Sequence, residues 1–100
     1  MFIAKVTGNV VTTQKVAKMA GAKLLIIEPL CVNENDKTFA PTKRSFVAID
    51  AVGAGAGEMV LVTQGSSARM TDMTSDAPVD CVIIGIIDSV NVPGGVVYEK

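Results

Sequence analysis

The chain contains no histidine and no tryptophan among its 100 residues. The first absence removes the Ser-His-Asp triad, the Cys-His pair and every His-based metal site. Aromatic side chains are scarce, namely Phe2, Phe39, Phe46 and Tyr98. Four scattered rings supply no stacking platform for single-stranded nucleic acid. Strong charge is missing as well: nine basic and ten acidic residues give a net charge of −1, with a pI near 5.2. No positive field draws the chain to phosphate backbones, so nucleic acid is not expected as a partner. The longest strongly apolar run, residues 81–87, is far below the roughly 20 residues that span a bilayer, so no membrane role is expected. Cys31 and Cys81 form no C-x-x-C pair, and Met1 leads directly into strand-like alternation without a leader pattern. That usage fits a reduced, cytoplasmic setting with both cysteines as small core or near-core residues.

What is present is aliphatic. Hydrophobic residues make up 49% of the chain and charged residues 19%, with a mean hydropathy of +0.44. The chain has room for one domain, residues 1–100, and this apolar content exceeds what a lone domain of that size needs to bury. The surplus points to burial against further copies of the chain.

Alternation of period two marks the first strand, where Phe2, Ala4, Val6, Gly8 and Val10 alternate with Lys5, Thr7 and Asn9. Residues 14–20 lack alternation and precede Gly21, which suits a turn or one short helical turn. Residues 23–27 form a second strand, and Pro29 just past it predicts an edge or a bend. Residues 32–44 read as the longest exposed loop or as a loose hairpin. Residues 45–52 and 59–63 are strands three and four, and the glycine-rich link between them predicts a hairpin. Polar residues 65–78 are irregular. Residues 81–90 supply a long fifth strand, in which Gly85 marks a bulge or a close backbone approach. The tail, residues 91–100, holds Pro93-Gly94-Gly95 and either turns back as a last strand or packs on a neighbour. Five main strands without long helices predict an all-β fold, a small five-stranded closed barrel of OB-like type with short helical turns in its loops.

Motifs for chemistry are weak. Gly53 and Gly55 begin a G-x-G-x-x-G pattern, but Glu58 stands where the third glycine belongs and a strand follows instead of a helix. These glycines instead permit positive φ and close backbone approach, as at a subunit contact where Glu58 would accept backbone N–H groups. Ser66 and Ser67 have no histidine to activate them and read as turn residues. Arg69 either holds carbonyls or carboxylates in its fork or is solvated. Asp50, Asp80 and Asp88 lie on strands or strand ends in apolar surroundings; hydrogen-bonded structural roles are expected, and no spacing supports a paired acid/base site. No catalytic residue, metal site or cofactor is assigned.

Read together, Met1 to Val11 with residues 21–27, then residues 47–58 with Val60-Leu61-Val62, then Gly65-Ser66-Ser67-Ala68-Arg69, and finally Pro78-Val79-Asp80 with residues 84–88 resemble the EutN/CcmL family of bacterial microcompartment vertex proteins. The resemblance covers nearly the whole chain, leaving residues 33–44 and the tail, residues 91–100, as variable ground. It implies a cyclic homopentamer that caps the fivefold corners of a polyhedral shell, with hexameric shell proteins as partners on the facets. It also implies a structural role without enzymatic activity, and a location in the cytoplasm within such a shell. By the same analogy, Gly53, Ala54, Gly55, Ala56, Gly57, Glu58 and Arg69 lie at the subunit interface, and Gly65, Ser66 and Ser67 line an axial pore. The alternative reading is an OB-like module for a small ligand or single-stranded nucleic acid.

Overall fold

The computed structural model describes residues 1–13, 17, 21–65 and 80–100. The first strand, β1 (Phe2–Val10), has the predicted faces up to Val6, with Ala4 and Val6 buried and Lys5 exposed; beyond Thr7 the faces exchange, so that Asn9 lies opposite the core residue Leu25 while Gly8 and Val10 lie opposite Ile26 and Leu24. The ladder to the next strand, β2 (Leu24–Asn33), shifts register between Val6 and Gly8, a bulge that leaves Thr7 without an opposite residue.

The second strand, β2 (Leu24–Asn33), runs straight through Pro29 instead of ending before it. Its first half pairs with β4 (Phe46–Asp50), and its second half pairs with β3 (Thr38–Pro41) along the same edge. Pro29 falls in the gap between those two ladders, where no donor is needed, and its carbonyl accepts the Thr42 hydroxyl at 2.8 Å. Residues 32–44 thus contain a regular hairpin. Its turn is fixed by Asn33, whose side-chain oxygen accepts the N–H groups of Asn35 and Asp36 at 3.1 and 3.2 Å.

The strands β5 (Met59–Gln64) and β6 (Cys81–Ile86) complete the barrel. Pairing runs β1-β5-β6-β4-β2, and β2 pairs with β1 to close the ring, so the five predicted main strands are the five barrel strands. The glycine-rich link is not a hairpin, however. Strand β6 lies between β4 and β5, antiparallel to β5 and parallel to β4. Closure needs a partner on both edges of every strand, and a β4–β5 hairpin would leave β6 outside the ring.

The predicted fifth strand is broken after Ile86; β7 (Ser89–Val92) starts anew and pairs with β8 (Gly95–Glu99) as a separate two-stranded sheet. Pro93 and Gly94, the latter at φ 92°, make its turn, as position-two Pro and position-three Gly do in a type II turn. The tail therefore forms a hairpin, which meets the β2–β3 hairpin where Phe39 and Tyr98 lie 6.0 Å apart. Gly85 sits beside a register shift in the β5–β6 ladder, the expected bulge. Gly21 has a φ of 82°, the left-handed conformation expected of a glycine that ends a turn; residues 14–16 and 18–20, where the short helical turn was predicted, lie outside the described residues.

Ala4, Val6, Leu25, Ile27, Ala48, Val60, Val62 and Ile83 fill the barrel. Each fully buried branched side chain contributes about 1.5–3 kcal/mol, and none of these groups brings a polar atom inward. Cys81 is buried with them, but Cys31 is exposed: it has the parity of Leu25 and Ile27, yet it lies past the end of the β1 ladder, on the arm where β2 pairs with β3 alone. Asp80 and Asp88 are exposed too, at strand ends rather than in apolar surroundings.

Candidate functional site

The sequence places its densest small-residue motif after β4, and the fold puts it over one end of the barrel. Asp50 ends β4 with its side chain only 1% exposed. Its Oδ1 accepts the N–H groups of Val52 and Gly53, both at 3.0 Å, so the expected structural role is present. Such a two-residue and three-residue reach from one carboxylate bends the chain back over the barrel mouth. Gly53 takes a φ of 83°, a conformation that a side chain would strain.

Ala54 then points inward and is fully buried among the core residues, a stopper of one methyl group. Its carbonyl accepts Lys23 Nζ at 2.9 Å, and the same ammonium lies 3.6 Å from Asp50 Oδ2. Among the described residues, that carboxylate oxygen has no hydrogen bond, so Lys23 supplies its compensating charge.

The chain next reverses between Gly55 and Glu58. Glu58 N–H donates to the Gly55 carbonyl at 3.2 Å, with Gly57 at φ 86° in the turn. Glu58 Oε1 accepts the Gly55 N–H at 2.7 Å, and Oε2 accepts Lys100 Nζ at 3.0 Å. Two ladder-like bonds fasten this turn to β1: Gly57 N–H to the Val6 carbonyl at 2.8 Å, and Val6 N–H to the Glu58 carbonyl at 3.0 Å. Lys100 is itself held by its N–H on the Asp88 carbonyl at 2.8 Å. The last residue of the chain thereby fixes a loop 42 positions earlier.

This electrostatic arrangement moves two ionisations. The Lys100 ammonium, first by its hydrogen bond and then with help from the Gly55 N–H, holds the Glu58 carboxyl below its ordinary value. Glu58 in turn raises the Lys100 ammonium. Away from this loop, burial and then the nearby Asp80 raise the Cys81 thiol.

Beside the loop lies a recess of about 300 Å³ lined by Gly8, Asn9, Lys23, Leu25, Ala54, Gly55 and Ala56. Ala56, Gly57, Val52 and Gly53 face outward. The region therefore presents small side chains and backbone over a rigidly bonded base, which suits contact with another protein backbone better than chemistry. Among the described residues no three of Cys, Asp and Glu gather as metal ligands.

The structure thus brings Gly53, Ala54, Gly55, Ala56, Gly57 and Glu58 together at one barrel end. Gly65 is elsewhere, after β5, with φ 68° and its N–H on the Asp80 carbonyl at 2.9 Å. Ser66, Ser67 and Arg69 lie outside the described residues. Sequence reasoning missed Lys23 and Lys100 as partners of the loop. Lys100 carries no local signal, whereas the Asp50-x-x-Gly53 spacing is a turn signature that was open to reading.

Comparison with known proteins places these features in a family context. The family model described as ethanolamine utilisation protein EutN/carboxysome matches residues 1–88, ending just before the β7–β8 hairpin. The carboxysome shell vertex protein CcmL of Synechocystis sp. is 45% identical over 100 residues, covering all of this chain and 95% of that protein. The bacterial microcompartment shell vertex protein EutN of Salmonella typhimurium is 42% identical over 100 residues, covering 100% and 96%. Among solved structures, the GrpN pentameric microcompartment shell protein from Rhodospirillum rubrum matches with a TM-score of 0.76 and 37% identity, over 92% of this chain and 98% of that one. The small-ligand and nucleic-acid alternative receives no support from these likenesses.

Proposed function

The chain belongs to the EutN/CcmL family, and from that premise we propose that it is a structural subunit whose homopentamer caps the fivefold vertices of a bacterial microcompartment shell. The observation that carries this reading is the likeness over the full length of the chain to vertex proteins of two kinds of compartment, together with a pentameric relative of the same fold. A shell tiled by sixfold units closes only when fivefold units fill its corners. A ring of identical chains repeats one head-to-tail contact until the rotation closes.

The barrel suits that task. Its five barrel strands leave no open edge within the ring, so association through the barrel proceeds by faces and loops, and free strand edges remain only on β3 and the β7–β8 hairpin among the described residues. The chain acts as one vertex domain over residues 1–100, with residues 91–100 as a variable appendage. It performs no catalysis; it sits in a shell in the cytoplasm and abuts hexameric facet proteins. The loop of Gly53, Ala54, Gly55, Ala56, Gly57 and Glu58 contributes to the contact between neighbours, assisted by Arg69, while Gly65, Ser66 and Ser67 border the axial opening. In the free chain the Glu58 carboxylate is occupied by Gly55 and Lys100. A neighbour's donor would share these oxygens, since each carboxylate oxygen has a second lone pair.

Native mass spectrometry tests the assembly. Five chains of 10.4 kDa give 52 kDa, and a chain that stays at 10.4 kDa at high concentration overturns the assignment. Shells produced with and without this chain test the role: those lacking it are expected to be open at their corners, and sealed corners would refute it.

A further inference from the structure

Two hairpins stand outside the ring of barrel strands. Beyond Leu30, β2 has left the β1 ladder and, among the described residues, pairs only with β3, which makes an arm of residues 31–40. The β7–β8 hairpin is likewise a separate two-stranded sheet. An isolated two-stranded hairpin is marginally stable at best in water, so each needs a neighbour. They meet each other. Phe39 on the arm and Tyr98 on β8 lie 6.0 Å apart, their rings tilted by 43°. At the turn of the arm the Lys37 stem crosses the backbone of Gly95, where an added Cβ would stand only 2.6 Å from Lys37 Cδ. Lys37 reaches that place from a φ of 55°, a left-handed conformation that is costly for a residue with a side chain. Local preference is thus overridden at the residue that makes the contact between hairpins. Five residues of strand at about 3.3 Å each put Lys100 roughly 16 Å from Gly95. There the hairpin is held a second time. The Lys100 N–H on the Asp88 carbonyl at 2.8 Å prolongs the β7–β8 ladder, and its ammonium reaches Glu58 Oε2 at 3.0 Å.

We propose that the β7–β8 hairpin is a strap that couples the β2–β3 arm to the loop of residues 53–58, so that the arm, the hairpin and the Lys100 hold on Glu58 open as one unit. Neither hairpin keeps its strands paired without the other, and Lys100 keeps its place only while the ladder that carries it persists. The barrel takes no part in this opening, since its five strands close on one another. A partner that draws either hairpin away therefore frees Glu58 Oε2 at the far end of the strap. All of these contacts lie within one chain, so the strap is independent of the vertex reading.

Native-state hydrogen exchange of the full chain, followed by NMR, tests the coupling in both directions. Lys37→Gly relaxes the left-handed turn and removes the stem. Lys43→Gly is the control, since Lys43 also has a left-handed φ, 60°, but its N–H is held by Glu28 Oε2. Lys37→Gly is expected to speed exchange at the Lys100 N–H about fivefold, with the β5–β6 ladder unchanged and Lys43→Gly without effect on either. In the other direction, Lys100→Met is expected to speed exchange in the arm, between Cys31 and Ala40, about threefold, because coupling between two sites is reciprocal. Gly95→Ala is expected to reproduce Lys37→Gly, and to add nothing to it in the double variant, because the stem that the new Cβ would strike is gone. The strap is refuted if the Lys100 N–H ignores Lys37→Gly, if the arm ignores Lys100→Met, or if the effects at positions 37 and 95 add in full.

Discussion

Removing the Asp50 carboxylate is the most informative stability test, because it separates two contributions that the structure assigns to different oxygens. Asp50 Oδ1 accepts two backbone N–H groups at 3.0 Å, and among the described residues Oδ2 faces Lys23 at 3.6 Å without a hydrogen bond. Hydrogen bonds to a charged group contribute about 1.5–3 kcal/mol each. Here the lower end applies, since Val52 and Gly53 are exposed and water can reach their freed N–H groups. The Lys23 pair adds little, because the lysine is 55% exposed and the buried carboxylate carries a desolvation cost. Asp50→Ala is therefore expected to cost about 2–3 kcal/mol. Asp50→Asn retains the Oδ1 acceptor and places an amide where the carboxylate has no hydrogen bond, so its cost is about 1 kcal/mol. With a urea slope of about 1–3 kcal/mol/M for a small protein, the alanine variant should unfold about 0.7–3 M earlier than wild type. The transition is followed by circular dichroism at one fixed chain concentration, since an oligomer's stability varies with concentration. If the asparagine variant is as unstable as the alanine variant, or if alanine costs under about 0.5 kcal/mol, the claim that Oδ1 holds the loop is wrong.

Two further outcomes follow from the ionisable groups. Glu58 is held below its ordinary value and Lys100 above its own, so their link is complete between those two ordinary values. It weakens as acid protonates Glu58 through its lowered folded value, and again as alkali neutralises Lys100 through its raised one. Glu58→Gln should flatten the acid limb of the stability profile, an effect diminished by salt because both groups are accessible; an unchanged acid limb would count against the link. For the thiols, Cys31 should react with a maleimide in the native protein, while Cys81, buried and raised by burial, should react only after unfolding. Equal native reactivity of the two would contradict the packing of β6.

Alternation of apolar and polar residues found the first barrel strand, and short aliphatic runs bounded by glycine, proline and polar segments found the other four, because strand residues and their punctuation are local properties whatever lies beside them. The same periodicity cannot name a strand's neighbour. Nothing local in residues 46–64 reveals that β6, from far along the chain, slots in parallel to β4 and separates it from β5. The loop over the barrel end was half legible: glycines at positive φ and the reach of Asp50 to Val52 and Gly53 are local geometry, readable from spacing. The partners that fix it were not, because Lys23 approaches from β2 and Lys100 from the last position of the chain. Composition alone determined that the chain is rich in aliphatic residues; only the ladders decided which of them line the barrel and which lie on its outside, since register assigns every side chain of a strand to one face or the other.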